Sequence, residues 1–313
     1  MDTSLFVSYK ERVLENCRKV ILGKDEIIQR VLECFLCSGH ILLEDVPGTG
    51  KTMLLRSFAA SVGGDFKRIQ FTPDLLPSDL TGLNFYNMKE QEFEFRPGPL
   101  FTQIILADEI NRATPRTQAS MLEAMEERQV TIDGVTYAMK EPFMVMATEN
   151  PLESYGTFAL PEAQIDRFFM RLQMGYMNRE QELEVISRKP ASEIVSGLQP
   201  VVTMEETIQL KKMVREVHVN NAVGNYIMDL VEQSRKGMRF GYGISTRGGI
   251  ALYGAAQAHA ALSGRDYVIP EDVRDLAVCV LAHRVGGSTM SIEESESRIT
   301  SMLENVKIPL EEV

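Results

Sequence analysis

Residues 41–52 read Ile-Leu-Leu-Glu-Asp-Val-Pro-Gly-Thr-Gly-Lys-Thr, and this stretch constrains the fold more than any other. The apolar run Gly39–Asp45 has the length of a short buried strand, and Met53 to Ser61 has a helical pattern. A strand that feeds a glycine-rich turn and then a helix is the setting of a phosphate-cradling loop. Glycines let successive backbone N–H groups turn inward onto phosphate oxygens, and the helix adds the positive end of its dipole. Pro47, Gly48, Thr49, Gly50, Lys51, Thr52 and Met53 are therefore the expected phosphate contacts. Lys51 is placed to reach the β and γ phosphates, and the Thr52 hydroxyl to hold Mg²⁺. Asp45 stands where the general pattern has a glycine. That departure touches the strand end and leaves the cradle intact.

A second element lies about 55 residues on. The run Ile104-Ile-Leu-Ala-Asp108-Glu109 is an apolar strand ending in two carboxylates. If this strand neighbours the first, Asp108 holds Mg²⁺ through water and Glu109 serves as general base toward an attacking water. Ala147-Thr-Glu-Asn150-Pro151 ends another apolar run, and its Asn150 amide can orient that water. The chemistry predicted is hydrolysis of ATP with Mg²⁺.

Strand-like runs at 66–71, 103–108, 143–148 and 168–174 alternate with helical patterns. With the strand at 39–45 they predict an α/β fold, a five-stranded parallel sheet flanked by helices. Two alternating stretches around tight turns, 82–95 and 129–140, predict β-hairpin inserts. From Thr203 onward only helical patterns occur: 203–217, 221–236, 246–262 and 270–284. We expect a nucleotide-binding core over 1–195 and a small all-helical lid over 196–313.

The net charge of −11 argues against a broad grip on a nucleic-acid backbone. The chain starts without a basic, apolar leader, no apolar run spans a bilayer, and the four cysteines do not form a disulfide scaffold, so a cytoplasmic location is expected. Cys34-Phe-Leu-Cys37 sits in an apolar helical stretch and reads as packing, as do the four scattered histidines.

Taken together these residues resemble the AAA+ ATPases, and specifically the MoxR family, across nearly the whole chain. Residues 40–52 are similar to its Walker A segment, and Leu106-Ala-Asp-Glu-Ile-Asn-Arg-Ala113 to its Walker B. Ala147-Thr-Glu-Asn-Pro151 is similar to sensor 1, Leu160–Phe168 to the arginine-finger segment and Gly243-Ile-Ser-Thr-Arg247 to sensor 2. The resemblance implies a homo-oligomer, a hexameric ring with ATP between subunits. It assigns Arg167 as the finger reaching a neighbour's γ-phosphate and Arg247 as sensor 2, in its own subunit or across the interface. Arg112 is a further interface candidate. By analogy the adenine sits near Val20, Ile21 and Gly23. The function implied is chaperone-like remodelling or maturation of a partner, with a von Willebrand factor A domain protein as associate and the client unnamed. Two alternatives stand beside it: a DNA-directed motor, and a nucleotide-gated scaffold with little turnover.

Overall fold

The structure, a computed structural model, describes residues 1–45, 48–149, 156–236, 242–286 and 290–309. Two helices, α1 (Ser4–Arg18) and α2 (Asp25–Leu36), precede β1 (Ile41–Glu44) and α3 (Lys51–Val62). Next come β2 (Phe66–Gln70), the short α4 (Pro77–Thr81), a hairpin of β3 (Gly82–Asn87) and β4 (Glu92–Pro97), and β5 (Ile104–Asp108). They are followed by α5 (Pro115–Glu127), a second hairpin of β6 (Gln129–Ile132) and β7 (Val135–Ala138), and β8 (Met144–Glu149). A single-turn α6 (Glu162–Ile165) leads into β9 (Met170–Leu172). The remainder is helical: α7 (Arg179–Ser187), α8 (Ala191–Ser196), α9 (Met204–Val214), α10 (Asn221–Arg235), α11 (Thr246–Leu262), α12 (Pro270–Leu281) and α13 (Ile292–Asn305).

Five strands form one parallel sheet in the order β2-β5-β8-β1-β9. The register places Leu43 of β1 beside Thr148 of β8, and Gln70 of β2 beside Asp108 of β5. All five strands run the same way, so one edge of the sheet gathers their C-terminal ends. The phosphate loop, Asp108-Glu109 and Glu149 all lie at that edge, where ligands meet open α/β sheets.

Strict alternation within the strands fills both faces. Ile41, Leu43, Ile104, Leu106, Met144 and Met146 enter one apolar cluster, and Leu42, Ile105, Ala107, Val145 and Ala147 enter another. The second cluster is closed by α5 residues such as Met121, Leu122 and Met125, together with Leu80 of α4. The first runs from α1–α3 directly into the later helices, through Leu210, Tyr226, Leu252, Leu276 and Ile299. The helices after residue 200 thus share a core with the sheet.

Several expectations on element boundaries change. The short helix α4 starts at Pro77, where proline at the first turn lacks only an N–H that is unpaired there anyway. The helix expected over 270–284 ends at Leu281 and continues as a 3₁₀ turn over Ala282–Arg284. Helices α7, α8 and α13 were not anticipated. Helix α7 buries none of its residues and so offers no apolar period to detect; a capping box of Asn178 and Gln181 starts it instead.

The cysteine and histidine readings agree with their surroundings. Cys34 is buried and Cys37 half-buried, and burial pushes both thiols up, away from the reactive thiolate. His40 is buried, accepting from the Val145 amide at Nδ1 (2.9 Å) and donating from Nε2 to the Met125 carbonyl (3.0 Å), so it ties three elements together. Among the described residues no group of three or more His, Cys, Asp or Glu side chains could hold a metal. No helix among them is long and apolar enough to cross a membrane.

Candidate active site

The loop before α3 has the geometry its glycines permit. Gly48 and Gly50 sit at φ 88° and 93°, in the left-handed region that costs L side chains energy. A cleft of about 360 Å³ opens above them, lined by Gly48, Gly50, Lys51, Thr52, Met53, Arg68, Gln70, Asp108, Glu109 and Thr148. The Lys51 ammonium donates to the Asp45 carbonyl at 2.9 Å. Pro47 and Asn150 lie outside the described residues.

Asp45 finds its reason here. Its carboxylate Oδ2 accepts from the amides of Met174 (2.8 Å) and Gly175 (2.9 Å), just past β9. A glycine could not make that bond. The aspartate pins the start of the loop to the segment after the edge strand, 129 residues away in sequence.

The two carboxylates are held by neighbours that the local sequence did not point to. Asp108 Oδ1 accepts from the Thr148 hydroxyl at 2.8 Å, and Oδ2 from Arg68 Nε and Nη2 at 3.0 and 2.5 Å. The Glu109 amide donates back to Thr148 Oγ1 at 2.8 Å, so one hydroxyl on β8 aligns both acids on β5. Glu109 Oε2 accepts from Gln70 Nε2 (2.9 Å) and Arg112 Nη1 (3.1 Å). Glu109 itself sits at φ 56°, a strained backbone of the kind that clusters at functional positions. Arg68 and Gln70 could have been found by pairing the C-terminal end of β2 with that of β5. Arg112, the further interface candidate, is half-exposed and holds Glu109 within its own chain.

Next to this group, Glu149 ends β8 opposite Glu44 in register. Burial, reinforced by the Glu44 carboxylate, pushes Glu149 up to about 7. Glu44 is itself raised by burial, although Arg171 Nη1 lies 3.5 Å away.

The adenine candidates are elsewhere. Val20 and Ile21 are buried in the main apolar cluster and do not line the cleft. Gly23, at φ 65°, leaves the space that the Gln181 side chain fills, where a β-carbon would collide with it. They join the cleft only indirectly: Lys24 Nζ donates to the carbonyls of Met174 and Tyr176, next to the segment Asp45 holds.

Arg167 and Arg247 are not at the cleft. Arg167 precedes β9 and so lies at the N-terminal edge of the sheet. Its Nε is 3.1 Å from Glu126 Oε2, and its Nη1 donates to the Leu122 carbonyl at 3.0 Å. Arg247, near the start of α11, pairs through Nη2 with the other oxygen of Glu126 and lies 3.6 Å from Asp166. The two arginines share a pocket of about 420 Å³ with Arg128, Lys211, Arg215, Tyr253 and Ile250, among others. Burial, with Arg128 nearby, pushes Lys211 down to about 8. A strand of four residues separates this pocket from the phosphate loop, roughly 13 Å of backbone. The structure unites Lys51, Thr52, Asp108 and Glu109, and it unites Arg167 with Arg247, but it keeps the two sets apart.

This architecture defines a P-loop nucleotide-binding sheet with a helical companion, and comparison with known proteins agrees. Residues 40–170 match the ATPase family associated with various cellular activities (AAA), and residues 232–303 match the AAA lid domain. The chain is 47% identical to the uncharacterized protein YeaC of Bacillus subtilis, over 96% of this chain and 95% of that one. It is 39% identical to chaperone MoxR1 of Mycobacterium tuberculosis, over 88% and 75% of the two, and 32% identical to protein MoxR of Paracoccus denitrificans, over 85% of each. A crystal structure of a candidate ATPase from Cytophaga hutchinsonii superposes with a TM-score of 0.89 at 38% identity, covering 98% of both chains. The chain belongs to the MoxR family of AAA+ ATPases.

Proposed function

We propose that the protein hydrolyses ATP with Mg²⁺ at an interface between copies and uses the cycle to remodel a partner protein. One observation carries the reading. The phosphate loop with its acids stands at one edge of the sheet, and an arginine pair stands at the other. Neither edge is a complete site, and a head-to-tail neighbour supplies what each lacks.

In this reading the backbone N–H groups of Gly48, Thr49 and Gly50 cradle the phosphates, and Pro47 and Met53 flank them. Lys51 leaves the Asp45 carbonyl for the β and γ phosphates. Thr52 and, through water, Asp108 would hold the Mg²⁺ of the bound nucleotide, a pairing that suits an ion keeping most of its ligands as water and phosphate oxygen. Arg68 now occupies Asp108 with its own positive charge, so the aspartate is already shaped for a cation. Glu109 takes the proton of the attacking water, with Asn150 orienting that water. To do so Glu109 gives up one of the donors, Gln70 or Arg112, that now hold Oε2. The adenine lies toward Val20, Ile21 and Gly23. Arg167 and Arg247 both act in trans, neutralising charge that develops on a neighbour's γ-phosphate.

Residues 1–195 serve as the nucleotide-binding core and 196–313 as the lid. The name of the Mycobacterium tuberculosis relative, a chaperone, supports a chaperone-like role; the hexameric ring and the von Willebrand factor A domain associate follow from the motif resemblance to the MoxR family. The hairpin of β3 and β4 supports the same role, because Tyr86, Met88 and Phe93 stand exposed at its tip, available to an unfolded segment of a partner. The test is steady-state ATPase activity against protein concentration. Specific activity rises with concentration if the finger acts in trans, and a flat response sinks that part. Glu109→Gln keeps ATP bound and lowers turnover by about 10²–10⁴-fold; undiminished turnover removes Glu109 from the mechanism.

A further inference from the structure

Each half of the divided site is flanked by an exposed apolar patch. Beside the cleft, Tyr176, Leu183 and Ile186 are 74%, 56% and 80% exposed, the last two one turn apart on α7. Helix α7 buries nothing of its own, so a fold that keeps these side chains in water gains nothing from them internally. The patch is attached to the nucleotide cleft. Asp45 grips the amides of Met174 and Gly175, Lys24 grips the carbonyls of Met174 and Tyr176, and α7 starts three residues later. Beside the arginines, Ile250 and Tyr253 of α11 are 69% and 38% exposed and line the same pocket as Arg167 and Arg247.

The charges match as well. Around its apolar ridge α7 exposes Glu180, Glu182 and Glu184 against one basic residue, Arg179, so the helix is acidic on balance. The arginine pocket presents Arg215 and Lys211 beside Ile250 and Tyr253. Acidic surrounds on one patch and basic surrounds on the other steer one docking orientation and disfavour like-on-like pairing. The two patches flank opposite edges of one sheet, so they meet only between copies.

We propose that the Tyr176–Leu183–Ile186 ridge of one copy docks on the Ile250–Tyr253 face of the next. The occupant of each patch is a second copy of this chain, in a heterologous contact that repeats head to tail. The contact rests on the trans reading above, and it presents Arg167 and Arg247 of one copy to the nucleotide of the other.

A directional mixing experiment on the full chain tests it. Lys51→Ala abolishes nucleotide binding but keeps the arginine face, and Arg167→Ala keeps the cleft but lacks the finger. Mixed, they regain ATPase activity about ten-fold or more above either alone, because one productive interface re-forms. Ile186→Glu is then added to one chain at a time. On the Arg167→Ala chain, whose α7 borders the productive interface, it removes the regained activity by about ten-fold or more. On the Lys51→Ala chain it leaves that activity within about two-fold. Ile250→Glu shows the reverse polarity. Binding of a fluorescent ATP analogue to Ile186→Glu alone stays unchanged, since the side chain leaves no cavity. Regained activity that survives Ile186→Glu on the Arg167→Ala chain, or falls equally from either chain, overturns the docking inference and leaves the trans reading standing. No regained activity in the unmodified mixture overturns the trans reading and the docking contact with it.

Discussion

The two edges of the central sheet are built from the same strands and do opposite things. At the C-terminal edge, Gly48, Gly50, Lys51, Asp108 and Glu109 line one cleft, and Arg68, Gln70, Arg112 and Thr148, which hold the two acids, come from neighbouring strands or the adjoining turn. At the N-terminal edge, basic side chains gather and their pairing is loose: Glu126 serves both Arg167 and Arg247, all about a third or more exposed. The C-terminal edge is preorganised by hydrogen bonds that span three strands. The N-terminal edge stores its arginines on a borrowed carboxylate, a weak tie that a stronger anion can displace. A phosphate-binding edge needs rigid geometry, whereas a donated arginine needs to be released.

The sharpest way to break the comparison is to remove the donated group. Arg167→Ala lowers kcat by about 10³-fold or more with nucleotide affinity nearly unchanged. A proportionate loss of affinity in a binding titration would place Arg167 in its own subunit's site instead. Thr148→Val comes next, since it removes the hydroxyl that aligns both Asp108 and Glu109. It lowers kcat by roughly ten-fold, the effect of one lost hydrogen bond at a positioned acid, and leaves the oligomer distribution in sedimentation unchanged. Glu126→Gln weakens the storage of both arginines. At low protein concentration it raises specific activity by up to about five-fold, the scale of an exposed ion pair; a decrease would make Glu126 part of the reaction.

The smallest effect concerns stability at the C-terminal edge. Glu149 is held up to about 7 by burial and by Glu44, against an ordinary 4.5. Between those values the folded state binds more protons than the unfolded one, so this group's contribution to stability falls as pH rises from 4.5 toward 7 and is flat above. Glu149→Gln removes the penalty. In nucleotide-free protein it raises the melting temperature at pH 8, by on the order of 2 kcal/mol in stability, and does nothing at pH 4.5. Equal shifts at both pH values would assign the effect to packing.

Local chemistry was legible wherever the reason for a residue is local. The glycines at 48 and 50 announce left-handed backbone, the aliphatic runs announce buried strands, and their alternation with helices announces a parallel sheet. The partners of the acids were not legible, because Arg68, Gln70 and Thr148 reach them across the sheet, and only the strand order β2-β5-β8 brings them there. Helix α7 went unseen for a related reason, having no buried face to impose a period. Val20 and Ile21, proposed as adenine contacts by analogy of position, also pack in the main apolar cluster, which their place in the chain did not reveal.

By itself the sequence determined a phosphate loop, two strand-end acids and an α/β sheet with helices after it, since glycine freedom, strand burial and helix starts depend on residues close in the chain. The tertiary structure alone decided why Asp45 replaces a glycine and on which edge the arginines stand. Both depend on contacts between residues far apart in sequence, a carboxylate reaching past β9 in one case and the N-terminal edge of a parallel sheet in the other.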